Sequence, residues 1–382
     1  MISFGLEEDQ QIIQETVRKF AAEELRPKMR AFEKSGVPDT LRRKFDETGL
    51  GLDDVALATA VLVHEELAWG DPGAAVALSA PYDGNRALVA LADDAQRARF
   101  AGKATAVCWS ERKAPLDGFG TVAKRVDGGW ALTGKKAFVV GAAAAELHLV
   151  FAQLEGPEQR DGWDGIGAFV IERGNAGLRV GDKHALLGLE AVAAHEIALE
   201  GCKVADGNRL LGGAELGKRL EQMFARAMVL NAARQVGLAR ASYEFALEYT
   251  QERKAFGKPV AHFQSIAFTL ADMAMDVDAA RWMVWRAATQ LDKGNLAPAV
   301  AAAAHANEAA WRVADNGVQL LGGAGYVKDY PVEKWLRDTK AMALFAPPSE
   351  IAELMAAGFE LGHHISGDGH SLPSTAIQPF FT

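Results

Sequence analysis

The sequence predicts an α+β protein of several domains: an N-terminal helical domain, a middle β-barrel-like domain and a C-terminal antiparallel four-helix bundle. Two changes in hydrophobic period carry this prediction. Apolar residues recur every three or four positions at first, at every second position from about residue 104, and again at helical spacing after Asn208. We predict three domains at residues 1–103, 104–206 and 207–361, followed by a polar tail at 362–382.

Composition limits the class of protein. The chain has 382 residues, of which 49% are hydrophobic and 24% charged, as in soluble globular proteins. It shows neither an apolar run long enough to cross a bilayer nor a secretory leader pattern. Its two cysteines are too few for a disulfide framework, and a net charge of -9 gives no reason to expect nucleic acid. We therefore expect a cytoplasmic protein with no membrane, nucleic-acid or metal partner.

Helical spacing predicts the elements of the first domain. Ile12, Ile13, Val17, Phe20 and Leu25 recur on one side of an amphipathic helix. The helices predicted on this basis are Glu7–Met29, Leu41–Thr48, Val55–Trp69 and Ala87–Ala101.

Alternation of apolar and polar residues predicts the strands of the middle domain, with a turn at Asp127-Gly128-Gly129. The predicted strands are Thr121–Val126, Trp130–Thr133, Ala137–Val140, Leu147–Gln153, Gly167–Ile171 and His195–Leu199.

Long helical patterns predict the bundle: Glu215–Glu252, Phe263–Lys293, Pro298–Leu321, a helix starting near Pro331, and Glu350–Leu361. Pro347 and Pro348 end the Pro331 helix, because a proline pushes the residue before it out of the helical region. Ala346 therefore lies at a forced break between two helices, where a side chain can project into a cavity.

The stretch Tyr330–Ile351 resembles the C-terminal signature of the acyl-CoA dehydrogenase family, in which Tyr-Pro-Val-Glu-Lys and Arg-Asp lead to Tyr-Glu-Gly-Thr-Ser-Gln-Ile. Val17–Ala21 and Glu65–Ala68 also resemble the helical N-terminal domain of that family. The resemblance covers nearly all of residues 4–361. It implies the acyl-CoA dehydrogenase fold and a flavin oxidoreductase of the CH-CH donor class.

The resemblance also implies a site for FAD. Glu252–Gly257, His262–Gln264 and Gln319–Tyr326 match family segments on the adenine and pyrophosphate side, which is held largely across a subunit interface. The residues implied there are Arg253, Phe256, Gln264, Gln319, Gly322 and Gly323. An arginine can fork onto a pyrophosphate, and paired glycines let backbone approach a nucleotide closely. A homodimer, a homotetramer or a hetero-oligomer with a paralogue would follow.

On the isoalloxazine side the family pattern is altered. Ser110 stands for the threonine of Thr-Glu-Pro, Phe138 for a tryptophan that packs on the ring, and Val140 for a threonine near N5. Ser110 keeps a hydroxyl and Phe138 an aromatic face, whereas Val140 offers only backbone groups.

The family's catalytic base is missing from its position. The glutamate that removes the substrate α-proton is replaced by Ala346, and the alternative position used by a minority of the family holds Ala227. Glu350, at a position that the family uses for flavin contact, is a weak substitute. The other polar candidates, Glu111, Asp117, His184 and His195, are more simply surface or turn residues.

Contacts expected for a CoA thioester are also altered. Leu116 replaces a serine, Ala225 and Met228 replace an Asp-x-x-Arg pair, and Glu190 replaces an arginine. Three hypotheses follow: a flavin oxidoreductase with an atypical small-molecule substrate or without a carboxylate base; a non-catalytic subunit of a catalytic paralogue; or a conventional acyl-CoA dehydrogenase with a relocated base.

Overall fold

The computed structural model describes residues 5–50, 52, 55–112, 119–160, 162–211 and 214–345. The chain forms two compact units. Unit 1 comprises Met1–Leu78, Leu186–Ala191 and Met228–Leu344, and unit 2 comprises Ser79–Ala185, Val192–Ala227 and Phe345–Thr382. The domain boundaries at 103, 206 and 361 stay predictions.

The described α-helices are α1 (Glu8–Phe20), α2 (Met29–Ser35), α3 (Asp39–Asp46), α4 (Leu57–Gly70), α5 (Pro72–Leu91), α6 (Asp94–Phe100), α7 (Ala214–Glu252), α8 (Gln264–Leu291), α9 (Ala297–Leu321) and α10 (Val332–Met342). The described strands are β1 (Thr105–Cys108), β2 (Val122–Val126), β3 (Gly129–Val140), β4 (Leu147–Glu155), β5 (Ile166–Glu172), β6 (Leu178–Lys183), β7 (Ala194–Ala205), β8 (Arg209–Leu210), β9 (Lys254–Ala255) and β10 (Lys258–Pro259). The helical, β and helical order of the sequence prediction is confirmed.

The first predicted helix is helical for most of its length but changes type. After α1, the backbone continues as a π-helix over Ala21–Leu25 and a 3₁₀ turn over Arg26–Lys28. Pro27 lacks an amide hydrogen, so the α-helical hydrogen-bond ladder cannot run through it. α2 begins directly afterwards.

Helix α5 is longer than the sequence predicted, since only its last part was expected. Pro81 lies inside it. The side chain of Asp71 accepts a hydrogen bond from the Ala74 amide at 2.7 Å, and Pro72 holds the first helical position. Both features are favourable at a helix start. The free energy gained by burying the small and apolar residues of α5 outweighs the cost of Pro81 inside the helix.

The sheet of unit 2 is mixed. Its order is β6-β7-β3-β2-β4-β5-β8, and β1 pairs with β4. β1 and β2 are parallel to β4, whereas the other pairs are antiparallel. Trp130 and Phe169, both fully buried with ring centroids 5.5 Å apart, anchor the core on one face.

In unit 1, α8 and α9 are antiparallel neighbours of similar length. Arg312 of α9 bridges to Asp276 of α8 at 2.9 Å, which fixes their register. The start of α8 and the end of α9 therefore lie at the same end of the bundle. The predicted helix Glu350–Leu361 lies outside the described residues, and no helix in the described ranges is long and apolar enough to span a membrane.

Candidate functional site

α10 leads to the position where the family has its catalytic glutamate. Its last turn ends at Met342, and Phe345, three residues later, is 6% exposed. Ala346 and Glu350 lie outside the described residues, as do Leu116 and Asp117.

A buried ionic cluster in unit 1 fixes α10. Lys334 contacts Asp71 at 2.6 Å and Asp338 at 2.5 Å, and all three side chains are at most 1% exposed. Burial by itself would lower the pKa of Lys334, but the two carboxylates raise it above its ordinary value. The Asp338 carboxylate also accepts the Leu189 amide at 2.6 Å. One cluster thus ties the start of α5, α10 and the 186–191 segment together.

The last carbonyls of α10 are capped by amide side chains from α7. Gln235 donates to the Thr339 carbonyl at 3.2 Å and accepts from the Thr339 hydroxyl at 2.8 Å. Asn231 donates to the Met342 carbonyl at 3.1 Å. Helix C-terminal carbonyls lack partners within the helix, so these contacts fix where α10 ends.

Glu190, which replaces an arginine of the family, is paired with an arginine of α10. Arg337 lies 3.3 Å from Glu190, 2.7 Å from Glu33 and 2.8 Å from Glu333. Gly188 packs so closely that a Cβ there would lie 2.1 Å from the Arg337 carbonyl oxygen. The carboxylate is therefore part of an ion-pair network that holds the segment against α10.

The two α7 positions that replace the Asp-x-x-Arg pair are apolar and packed. Ala225 and Met228 are each 1% exposed. Glu221, one turn before Ala225 on the same helix, has a pKa raised to about 7, first by burial and then by Asp164. Neither of these two positions carries the charged group that the family has there.

The residues implied on the isoalloxazine side come together in unit 2. The Ser110 carbonyl accepts the Ala137 amide at 2.7 Å, next to Phe138. The Phe138 ring is half-buried, 6.2 Å between centroids from Phe345. Val140 pairs with Ala194 of β7. The structure thus joins three separate segments around Phe138.

Glu111 belongs to the core of unit 2. Its carboxylate accepts the Gly120 and Thr121 amides at 2.7 and 3.1 Å and contacts the Lys136 ammonium at 2.6 Å. Burial lowers the pKa of Lys136 to about 8, and Glu111 opposes that shift. A carboxylate with these three donors is structural and is not available as a base.

The two candidate histidines differ. His195 lies within strand β7, where its Nδ1 atom is 3.0 Å from the Gly181 carbonyl, so it is a strand residue and not a turn residue. His184, in contrast, packs against Phe138 with ring centroids 5.1 Å apart. Its sequence position between Lys183 and Ala185 gives no sign of that contact.

The residues implied on the adenine side lie at one end of the bundle in unit 1. They are Arg253, Phe256, Gln264, Gln319, Gly322 and Gly323, and all are exposed. The side chain of Phe256 is 95% exposed, and Gly322 has a φ of 58°. Nothing lies within 4 Å of where a Cβ of Gly322 or Gly323 would stand. This end therefore offers open backbone, a cation and an aromatic ring together.

Sequence reasoning named His184 but set it aside as a surface or turn residue. It missed Asn231 and Gln235 in unit 1, and in unit 2 an aromatic cluster in which the Trp109 ring lies 4.8 Å from Phe151 and 4.7 Å from Phe224. Polar residues at the buried face of α7 were a usable signal for Asn231 and Gln235, because buried amides need partners.

Three family models match consecutive parts of the chain. They describe the acyl-CoA dehydrogenase N-terminal domain at residues 7–107, the middle domain at 106–202 and the C-terminal domain at 218–358. The chain belongs to the acyl-CoA dehydrogenase family.

Individual relatives agree over almost the whole length. Benzylmalonyl-CoA dehydrogenase of Aromatoleum aromaticum is 32% identical, with 93% of this chain and 99% of that protein covered. Cyclohex-1-ene-1-carbonyl-CoA dehydrogenase of Geobacter metallireducens is 30% identical, with 92% and 97% covered. The structure of butyryl-CoA dehydrogenase from Megasphaera elsdenii matches with a TM-score of 0.85 at 28% identity, covering 94% of this chain and 100% of that one.

Proposed function

We propose that this chain is an FAD-binding oxidoreductase of the acyl-CoA dehydrogenase family that acts on an atypical small-molecule substrate or without a carboxylate base. The observation that carries the proposal is the alanine at position 346, where the family has its glutamate. Family membership supports the enzyme class and the cofactor.

The described residues fit FAD. Arg253 is exposed and free to fork onto a pyrophosphate, and open space at Gly322 and Gly323 allows close backbone approach. Phe138 presents a half-buried ring for the isoalloxazine side. When bound, FAD would supply a two-electron acceptor. The chain's own residues would hold, orient and shield it.

The proton chemistry differs from that of the family. Removing a positioned base typically lowers a rate by about 10² to 10⁴. Glu111 is occupied by three donors, and Glu190 pairs with Arg337. Neither of these carboxylates is free to replace the missing glutamate.

Acyl-CoA binding is disfavoured for a separate reason. The arginine and aspartate positions on α7 are buried Met228 and Ala225, and the carboxyl of Glu221 lies one turn before them. Charge-assisted contacts to a CoA thioester are lost there. We propose that the substrate is bound through a group other than CoA. We also propose that the protein is a cytoplasmic homo-oligomer.

A second candidate is a non-catalytic subunit paired with a catalytic paralogue. The observation that favours it is the exposure of Phe256 and Tyr326, at 95% and 86%, at the adenine-side end of the bundle. Exposed aromatic rings of this kind suit a subunit interface. A conventional acyl-CoA dehydrogenase with its base at another position, such as Glu350, is the third.

The test is an anaerobic titration of the FAD-loaded protein with a panel of acyl-CoAs, following the visible absorption of the flavin. We expect FAD to be retained and no thioester to bleach it at a catalytic rate. The matched variant is Ala346→Glu, which restores the family base. Bleaching by the wild type would overturn the proposal and favour a relocated base, with Glu350→Gln as the next variant.

The Ala346→Glu variant also distinguishes between the remaining functional hypotheses. We expect Ala346→Glu to stay inactive on thioesters, because the CoA contacts are altered too. If Ala346→Glu alone becomes active, the chain binds thioesters and lacks only its base, which contradicts an atypical substrate. Failure of the wild type to retain FAD would favour the non-catalytic subunit.

A further inference from the structure

Strand β3 is irregular at Phe138. The register of β3 against β7 is interrupted between Lys136 and Val139. Phe138, inside the interruption, has a φ of 56°. A residue other than glycine in this left-handed region is strained and persists only where its surroundings hold it.

His184 is positioned to hold this bulge. The Phe138 amide lies where the ladder with β7 is interrupted, and it donates to the Nε2 atom of His184 at 3.4 Å. β6 has its own register shift against β7 between Val180 and Lys183. Both interruptions end opposite His195 of β7. Two matched irregularities, one on either side of β7, therefore bring His184 and Phe138 together.

Only one nitrogen of a neutral imidazole can accept. Arg112 Nη2 lies 3.2 Å from His184 Nδ1, and a guanidinium can only donate. The Arg112 side chain is 59% exposed and lies 3.9 Å from Glu196, so solvent and that carboxylate can satisfy it. The Phe138 amide, in contrast, donates its hydrogen bond to His184 Nε2. Its bond selects the tautomer with Nε2 unprotonated and the proton on Nδ1.

We propose that His184 is a positioning residue: its neutral imidazole accepts the Phe138 amide and holds the bulge that presents Phe138 and Val140 to the isoalloxazine. Protonation would replace this acceptor by a donor and release the amide. The inference rests on the proposed function, because family resemblance places the isoalloxazine beside Phe138.

Burial, followed by the nearby Arg112 cation, favours the neutral form of His184. Burial lowers the pKa of His184 below its ordinary value, and Arg112 lowers it further. Glu196 opposes this and His195 adds to it. Glu196 is itself shared with Lys135 at 3.2 Å. The bond to the Phe138 amide is therefore lost only in acid, at a lower pH than that at which an ordinary imidazole is protonated.

The first experiment needs no flavin. Nitrogen-15 NMR of the imidazole rings, with the His184 signals assigned through their absence in His184→Gln, reports the tautomer directly. We expect the proton on Nδ1 at pH 7.5. A proton on Nε2 would contradict the proposal, because that atom could not then accept the amide.

The second experiment uses the FAD-loaded protein and follows its visible spectrum between pH 5 and 8. We expect the wild-type spectrum to change with the titration of His184. His184→Gln keeps an acceptor that does not titrate, so its spectrum should stay at the wild-type neutral form. His184→Phe should show an altered spectrum at every pH.

His195→Gln is the matched control and should retain the wild-type pH dependence. An unchanged pH dependence in His184→Gln would overturn the proposal. If the protein does not bind FAD, the proposed function fails, while the NMR result still decides whether the imidazole holds the bulge.

Discussion

Glu221 is a single residue whose environment makes stability depend on pH. Burial first, and Asp164 second, raise its pKa to about 7. Between the unfolded value near 4.5 and this folded value, the folded state binds the proton more tightly. Stability contributed by the protonated form is thus lost as pH rises through this window.

We therefore expect Glu221→Gln to lose less stability than the wild type between pH 5 and pH 8. The amide cannot ionise, so the cost of burying a charge disappears. The measurement is the midpoint of thermal unfolding at both pH values, with the exposed Glu252→Gln as control. An equally large decline in Glu221→Gln would show that other groups carry the effect.

Among the elements, α10 depends on α7 for the way it ends. Gln235 makes hydrogen bonds to both the carbonyl and the hydroxyl of Thr339 and donates to Asn307 at 3.0 Å, all in a buried setting. An apolar side chain of similar size would remove the acceptor of the Thr339 hydroxyl and the donor to Asn307 Oδ1, whereas the Thr339 carbonyl keeps the Ala343 amide at 3.2 Å. Each unsatisfied buried group costs about 1–3 kcal/mol.

Gln235→Leu should accordingly lower the free energy of unfolding by at least about 1–3 kcal/mol. Urea denaturation measures it, and Gln222→Leu, which changes an exposed glutamine of the same helix, is the control. If both variants were equally stable, the Gln235 contacts would make no net contribution to the free energy of unfolding.

For the whole molecule, retention of FAD is the property to test first. Loss of a charge-assisted bond from Arg253 is worth about 1.5–3 kcal/mol, so Arg253→Ala should weaken FAD binding about 10- to 100-fold. Lys254→Ala, a neighbouring exposed cation, is the control. Flavin fluorescence during reconstitution gives both affinities. Equal affinities would remove Arg253 from the proposed site.

The architecture of the whole chain could be predicted because the spacing of apolar residues is a local property of the sequence. The change of spacing near residue 104 and its reversal after 208 agree with β1 to β7, whereas β8 lies just beyond the reversal. α5 was predicted only in part because Pro81 and Gly84 obscured its helical signal, although Asp71-Pro72 marks its start.

The site was less predictable because its contacts join distant segments. The meeting of His184 with Phe138 depends on two register shifts, which leave no trace in alternation. The role of Glu190 depends on Arg337, 147 residues away. The substitution at Ala346 could be read directly, since it needs only the motif around it.

Among the described residues, each unit contains a buried lysine whose chemical reactivity would report the opening of that unit. Lys136 in unit 2 and Lys334 in unit 1 have side chains 0% and 1% exposed, and each is paired with carboxylates. Amine-reactive reagents will therefore reach these lysines only after the surrounding structure opens. Mass spectrometry of lysine acylation against denaturant concentration would follow the opening of the two units separately within one chain.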